Sequence, residues 1–514
     1  MSKGELLLAI DQGTTNTKAI LVAKDGRPVF ASTAPVSLRH PRAGFVEQDP
    51  LELWTSVTQV AAACVANAGA QGIAAIGITN QRETVLAWER GSGEPVAPAV
   101  VWQCRRSASI CSDLERRGLA GMLRQRTGLG IDPLFSASKM LWLLENTPGL
   151  RARAEAGEIC FGTVDSWLIW KLTGGKVHAC DASNASRTQL LNLRTGKWDD
   201  DLLRLFEIPK VALPEVCESS GFFGECAGVE GLSGLPILSA IGDSHAAMAG
   251  HGAYDPGKVK ATYGTGSSVM SLIPDFRVAE NGLSTTIAWR MGGATRFALE
   301  GNISMTGSTV QWLGEFLGLP EPASGAAKLA ETVPESDGVY FVPAMVGLGA
   351  PHWDSAVRGA IFGLSRTSTR AHLARAAVES IAFQIRDVFD AMEREADVSF
   401  PMLHADGGAT HNHQLMQFQA DVLGRPVMRS ICPDLSALGA AWLAGIALGY
   451  WDALEALGKL GLDSQIFEPR MPEIEREQRY GGWKLSVERA RHQPAQNLET
   501  EKTFGAAEKQ HAQH

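Results

Sequence analysis

Apolar and polar positions alternate along this chain with two different periods, and the first change of period comes early. Leu6-Leu7-Leu8-Ala9-Ile10 is an unbroken apolar run, the pattern of a strand buried on both faces, and Ala19-Ile20-Leu21-Val22 supplies a partner. The residues between them, Asp11-Gln12-Gly13-Thr14-Thr15-Asn16-Thr17-Lys18, are small and polar, so the pair reads as a β-hairpin. Lys24-Asp25-Gly26-Arg27 signals a second turn before Pro28-Val29-Phe30-Ala31, which makes a three-stranded antiparallel meander. Helical spacing takes over from Pro50 to Val65, with Leu53, Val57, Val60 and Cys64 on one face and Asp49 placed to cap the first turn. Ile73 to Thr79 is the next buried strand and runs straight into polar Asn80-Gln81-Arg82-Glu83. Val85 to Trp88 and Ala99 to Trp102 add two short strands. Strands interleaved with helices in this way define an α/β architecture.

The opening pattern recurs half a chain later. Leu235 to Ile241 is a strand that leads to Gly242-Asp243-Ser244-His245 and a small-residue helix, Ala246 to Gly250. After a break at Gly252 to Gly257, Lys258 to Tyr263 and Ser268 to Leu272 flank a second glycine–hydroxyl turn, Gly264-Thr265-Gly266-Ser267. Two such hairpins, each opening a long α/β stretch, indicate two domains of one design. A third glycine turn, Asp406 to Thr410, precedes a helix from Asn412 to Leu423 with Leu415, Phe418 and Val422 in a stripe. Arg370 to Met392 is a long amphipathic helix whose Leu373, Ala377, Ile381, Ile385, Val388 and Met392 read as core. Ala437 to Trp451 is apolar throughout but contains three glycines and is too short to span a bilayer, so it reads as a buried helix. From Arg491 onward the chain is polar without a stripe and reads as a disordered tail. The expected division is therefore 1–251, 252–490 and a tail over 491–514.

Bulk properties narrow the function without naming it. With 514 residues the chain exceeds what one core supports. A net charge of −9 without a basic cluster argues against nucleic acid, although a local nest of amides still holds a phosphate on an acidic protein. Eight scattered cysteines lack any C-x-x-C pair and read as reduced thiols of a cytoplasmic protein, and Met1 to Glu5 lacks the pattern of a signal peptide.

Local chemistry is concentrated in the turns. The first hairpin offers a glycine, bare amides, the hydroxyls of Thr14, Thr15 and Thr17, the charge of Lys18 and the carboxylate of Asp11, which are the parts that hold a phosphate and its Mg²⁺. The helix behind Gly407-Gly408 suits a nucleotide. Three tempting motifs fail. Gly252 to Lys258 spells most of a P-loop, but Val259 stands where a metal-binding hydroxyl is needed and a strand follows in place of a helix. Asp243-Ser244-His245 is too compact for a catalytic triad. His411 and His413 lack a third metal ligand nearby and read as a solvated loop.

Taken together, Asp11 to Thr15, Asn80 to Glu83, Trp102 to Arg106, Phe161 to Asp165, Asn184 to Arg187, Tyr263 to Gly266, Gly347 to Pro351 and Asp406 to Ala409 closely resemble the FGGY carbohydrate-kinase family, in particular its glycerol-phosphorylating members. Gly359 to Glu379 resembles the family's C-terminal signature, and the similarity runs in order over roughly residues 5–490. The resemblance implies two duplicated actin/hexokinase-like (ribonuclease H-like) α/β domains with ATP and Mg²⁺ in the cleft between them. It implies Asp11 as the Mg²⁺ ligand, directly or through water, with Asp243 as a second carboxylate. Thr14, Thr15, Asn16 and Lys18 fall on one side of the phosphates and Gly264, Thr265 and Gly266 on the other. Gly307, Gln311, Gly408 and Asn412 fall at nucleotide contacts. Asp243 falls at the general base, and Arg82, Glu83 and Trp102 fall at the acceptor. The implied protein is a cytoplasmic homodimer or homotetramer that phosphorylates a terminal hydroxyl of a small polyol, glycerol first.

Departures from the family pattern cluster at the acceptor. Leu134 stands where those members carry Tyr, Ser244 where they carry Gln, and Ser268 where they carry Phe. Smaller side chains there widen the pocket, and the serine hydroxyls offer hydrogen bonds, so a longer polyol or ketose (erythritol, xylitol, xylulose) is the alternative acceptor. An actin-like or chaperone ATPase shares the hairpins but needs no polyol grip, and a pseudokinase is expected to lose Asp11 or Asp243. Both aspartates are present.

Overall fold

In this computed structural model, residues 4–69, 72–432, 434–458 and 462–492 are described. The first half begins with β1 (Leu6–Gln12), β2 (Asn16–Val22) and β3 (Pro28–Pro35), the expected meander, followed by α1 (Pro50–Ala68) and β4 (Ile73–Asn80). Further on come α2 (Ser136–Asn146), the short buried α3 (Ala182–Ser186), β5 (Ile237–Gly242) and α4 (Asp243–Gly250). The strands form one sheet in the order β5-β4-β1-β2-β3, with β4 parallel to both β1 and β5. The second half repeats this plan with β6 (Val259–Tyr263), β7 (Ser267–Ile273), β8 (Ser284–Met291), β9 (Ala294–Ile303), α5 (Gly307–Phe316), α6 (Arg370–Ala396), β10 (Leu403–Asp406), α7 (His413–Leu423) and β11 (Val427–Ser430). It closes with α8 (Leu435–Leu448), β12 (Ser464–Phe467) and α9 (Glu473–Arg491). Its sheet order is β8-β9-β7-β6-β10-β11-β12. In each sheet a hairpin has an antiparallel third strand on one side and two parallel strands on the other, so the recurrence in sequence is a recurrence in topology.

The unbroken apolar runs are explained by helices on both faces of each sheet. Leu6, Leu8 and Ile10 pack outward against Leu53, Val57, Val60 and Cys64 of α1, while Leu7 and Ala9 pack inward. The inward faces of both sheets meet α4 and α8, which form a shared middle layer with Ile20, Val22, Met270 and Ala298. Each such aliphatic side chain contributes roughly 1.5–3 kcal/mol when fully buried. A third core lies outside the second sheet under α6 and α9. Helix α8 is apolar all round because it is covered all round, and its small residues allow close approach. A Cβ on Gly439 lands 2.0 Å from the Ala246 carbonyl oxygen. Ser239 Oγ donates to the Ala440 carbonyl at 2.7 Å, and Trp442 Nε1 donates to that of Gly26 at 2.9 Å, so this late helix is fastened to the first sheet.

Several boundaries differ from expectation. The buried helix ends at Leu448 because Gly449 turns left-handed (φ 81°), leaving Trp451 outside. Asn412 is the cap of α7 and not its first residue, since its side chain accepts from the Leu415 amide. Helix α6 runs on to Ala396. The tail expected from Arg491 begins inside a structured element, because α9 includes Arg491 and His492 closes it with a bond to the Glu488 carbonyl. Residues 493–514 lie outside the described residues. All eight cysteines are unpaired and six are buried. Among the described residues no helix is long and apolar enough to cross a membrane.

Candidate active site

Strands β1, β4 and β5 end side by side, with Asn80 in register with both Gln12 and Gly242. The residues that follow therefore emerge together: Gly13 to Thr15, Gln81 to Glu83, and Asp243 at the first turn of α4. Strand ends in an open α/β sheet are where ligands collect. A buried amide cluster fixes the first hairpin there. Gln81 Nε2 donates to Gln12 Oε1, Gln48 Oε1 and the Gly13 carbonyl, and Gln48 Nε2 donates to the Thr14 carbonyl. Thr14 Oγ1 in turn accepts from Trp102 Nε1 at 2.9 Å, which sets the indole as a wall beside the hairpin.

The second hairpin faces it. A cavity of about 330 Å³ is lined by Thr14 and Thr15 on one side and by Gly264, Thr265 and Gly266 on the other. Arg82, Glu83, Trp102, Asp243, Leu134, Ser244 and Ser268 line it as well. Twelve of the residues expected from sequence thus meet in one space. Asp11, Asn16, Lys18, Gly307, Gln311, Gly408 and Asn412 do not line it. Gly307 and Gly408 flank the second hairpin instead. The Gly307 amide donates to the Gly264 carbonyl at 3.0 Å, and Gly407, at φ 94°, packs so tightly that a Cβ there lands 2.5 Å from the Tyr263 carbonyl oxygen. Gly408 beside it has open space where a Cβ would stand. Gln311 is exposed on α5 and bonds Glu315, and Asn16 is exposed at the tip of its hairpin.

Three hydroxyls and one ammonium are engaged differently from the expectation. Thr17 is completely buried and bonds Ser56 Oγ at 2.6 Å, because strand alternation turns it into the core, so it offers nothing to a phosphate. Ser268 Oγ donates to Glu300 at 2.7 Å, which commits its proton and leaves lone pairs for a ligand. Ser244 Oγ accepts from Arg82 Nη2 at 3.3 Å and keeps its own proton to donate. Lys18 Nζ is ion-paired with Asp434 at 2.9 Å, although it stays opposite Asp11 in the hairpin register.

The Arg82–Glu83 end of the cavity is densely hydrogen-bonded and charged. Arg82 Nε donates to Asp243 Oδ1 at 3.1 Å. Glu83 holds a left-handed backbone (φ 61°), an uncommon state for a non-glycine residue that persists only when its surroundings over-determine it. They do: Ser136 Oγ and Lys139 Nζ donate to its carbonyl, and Arg187 Nε donates to its carboxylate at 2.6 Å. Lys139, on α2, also reaches the Leu134 carbonyl, and burial pushes its pKa down to about 8. Arg187, Glu300, Lys139 and Trp353 carried no assigned role in the sequence. Arg187 closes the Asn184 to Arg187 stretch, and Glu300 betrays itself only as a charge inside a strand buried on both faces. Trp353, from the second half, lines the cavity with its ring 6.4 Å from Phe135 of the first.

Asp11 and Asp243 have the electrostatics of a cation site. Burial, with Asp243 and then Asp434 as like-charged neighbours, raises the Asp11 pKa to about 7 against the opposing pull of Lys18. Burial likewise holds Asp243 above the usual carboxylate range, with Arg82 opposing. Neighbouring carboxylates of this kind fit a hard divalent cation that keeps most of its ligands from water and phosphate.

Residues 6–250 match the N-terminal domain, and residues 259–448 the C-terminal domain, of the FGGY family of carbohydrate kinases. The chain belongs to this family. Among curated relatives it is 47% identical over 491 residues to glycerol kinase 2 of Thermotoga maritima, covering 94% of this chain and 98% of the relative. It is 49% identical over 490 residues to the glycerol kinase of Thermus brockianus, with 94% and 98% covered. Among solved structures, the glycerol kinase of Plasmodium falciparum with ADP superposes at a TM-score of 0.86, with 32% identity and 95% and 99% of the two chains covered. A gluconate kinase from Lactobacillus acidophilus shares the fold at a TM-score of 0.84 and 23% identity.

Proposed function

We propose that this protein transfers the γ-phosphoryl group of ATP to a terminal hydroxyl of glycerol, forming glycerol 3-phosphate. The observation that carries this is the juxtaposition, in one cavity, of two facing glycine–hydroxyl hairpins with an Arg82–Glu83 grip and a carboxylate that solvent still reaches, Asp243 at 36% exposed. Phosphoryl transfer asks a protein for positioning and charge neutralisation more than for covalent chemistry. The backbone amides and hydroxyls of the two hairpins hold the phosphates. Arg82 donates to one hydroxyl of the acceptor and Glu83 accepts from its neighbour, while the Trp102 face packs on the carbon chain. Asp243 accepts the proton of the attacking hydroxyl, a role typically contributing about 10²–10⁴-fold. Asp11, with Asp243 as a second carboxylate, would hold Mg²⁺, which would supply neutralisation of phosphate charge. Gly307, Gln311, Gly408 and Asn412 take the nucleoside end. Halves 1–251 and 252–490 close on the ligands and exclude water as a competing acceptor. The expected setting is the cytoplasm and the expected assembly a homodimer or homotetramer of the 55.0 kDa chain, which sedimentation measures directly.

One observation favours a longer acceptor. Leu134, Ser244 and Ser268 all line the cavity, and the Ser244 hydroxyl retains a proton to donate. Steady-state turnover of glycerol, erythritol, xylitol and xylulose with ATP decides between the two. Glycerol is the expected best acceptor, and no glycerol turnover with another polyol accepted would overturn that assignment.

A further inference from the structure

Glu300 lies on β9 of the second sheet, completely buried, yet its charge partners come from the first half. Arg82 Nη1 lies 2.8 Å from its Oε1 and donates to its Oε2 at 2.9 Å, and Arg187 Nη1 stands 2.8 Å from Oε2 as a charge contact without hydrogen-bond geometry. Ser268 Oγ and Asn302 Nδ2 donate to Oε1 at 2.7 and 2.9 Å, and Asn302 Oδ1 accepts from Arg187 Nη2 at 2.9 Å. The two guanidinium groups that Glu300 joins are those that serve the acceptor end. One bonds the base, Asp243, and the other bonds Glu83.

Resting on the phosphoryl-transfer assignment above, we propose that Glu300 is the positioning residue of the acceptor grip: it fixes Arg82 and Arg187 from across the cleft, so that grip and base come into register only when the second sheet is seated against the first. Both arginines are buried to within a few per cent, so each needs a carboxylate or bears the cost of an unpaired buried charge. With Glu300 present, Arg82 is shared between two acids and leaves Asp243 with free lone pairs. Without it, Arg82 has Asp243 as its bonded carboxylate and turns both guanidinium edges onto the base, which blocks proton acceptance and rotates the grip. Within the second sheet, Ser268, which lines the cavity, is hydrogen-bonded to the same carboxylate and holds it in place. The hairpin tips at Gly13 to Thr15 and Gly264 to Gly266 do not bond Glu300, so nucleotide affinity is separable from this effect.

The test compares Glu300→Gln, which keeps the shape, and Glu300→Asp, which keeps the charge but shortens the reach, with the wild-type full chain. In Glu300→Gln the KM for the acceptor is expected to rise and kcat to fall by at least tenfold each, with the KM for ATP within twofold. Glu300→Asp should fall between, with an acceptor KM raised about fivefold or more. Amide hydrogen exchange, read without turnover, should speed up in Glu300→Gln at Arg82–Val85 and Asp243–His245 and stay unchanged at Gln12–Thr17. Acceptor KM and kcat within threefold of wild type would overturn the proposal. So would equal losses for ATP and acceptor together with faster exchange throughout the chain, the mark of a merely structural role. If Glu300→Gln fails to fold, a wild-type-like acceptor KM in Glu300→Asp overturns it. A wild-type protein that phosphorylates no polyol refutes the kinase assignment, and the exchange pattern then decides the fate of Glu300 on its own.

Discussion

Asp243 and Asp11 are the two side chains on which single-residue tests bear most directly. If Asp243 is the proton acceptor proposed above, Asp243→Asn removes it but keeps the shape, so transfer should fall about 10²–10⁴-fold while ATP still binds. A coupled assay for ADP with calorimetric ATP binding checks both halves of that statement. Burial and the neighbouring Asp243 and Asp434 carboxylates push the Asp11 pKa up to about 7 in the folded protein. It is therefore protonated below that pH and must lose the proton to hold Mg²⁺. The Mg²⁺ concentration for half-maximal rate should rise as pH falls below 7, by up to about tenfold per unit, and be flat above 8. The sign for stability follows from the same shift. The folded state binds this proton more tightly than the unfolded chain, so stability from Asp11 is present at low pH and is lost between about pH 4 and 7. Asp11→Asn should abolish that loss, which thermal melts at pH 5 and 8 would reveal.

At the level of elements, α8 is the most sensitive packing test. Gly439→Ala places a methyl against the Ala246 carbonyl, where neither backbone can yield, and should cost about 1–3 kcal/mol, read as a lower melting temperature. Elements were more legible than contacts. The two hairpins were readable because apolar runs flank turns of glycine and threonine, and the seats of Arg82 and Asp243 followed from where those runs stop. That α8 is buried was readable from its all-apolar sequence, but its place on the first sheet was not, since periodicity gives a face and never a partner. Glu300 stayed hidden for a related reason. Its bond to Arg82 spans 218 positions, and only the folded chain brings them together. Thr17 misled because a turn residue by composition became a strand residue by register.

For the molecule as a whole, the family fold explains why one cavity combines parts from both halves. The hairpins, the Arg82–Glu83 pair and Asp243 stand at strand ends of two sheets, and Trp353 reaches from the second half to Phe135 of the first. The ring contact also makes a test. Trp353→Ala removes an aromatic side chain from the cavity lining and a contact across the cleft, and should raise the acceptor KM by roughly two- to tenfold, given about 0.5–1.5 kcal/mol for the pair beyond its burial. Steady-state kinetics with the preferred polyol checks this. A change confined to the KM for ATP would contradict it.

The attachment of α8 to the first sheet has a consequence for how the chain comes into being. When the ribosome has released the first half, Leu7, Ala9, Ile20 and Val22 have only α4 beside them, because the helix that completes their cover ends at Leu448. At about 5–20 residues per second, that inner face waits roughly ten to forty seconds for its lid. A nascent chain halted near residue 251 should therefore be sticky, captured by chaperones and prone to aggregate, whereas one extended past the end of α8 should shed them. The apparent independence of the first half is a property of the finished protein and not of its synthesis.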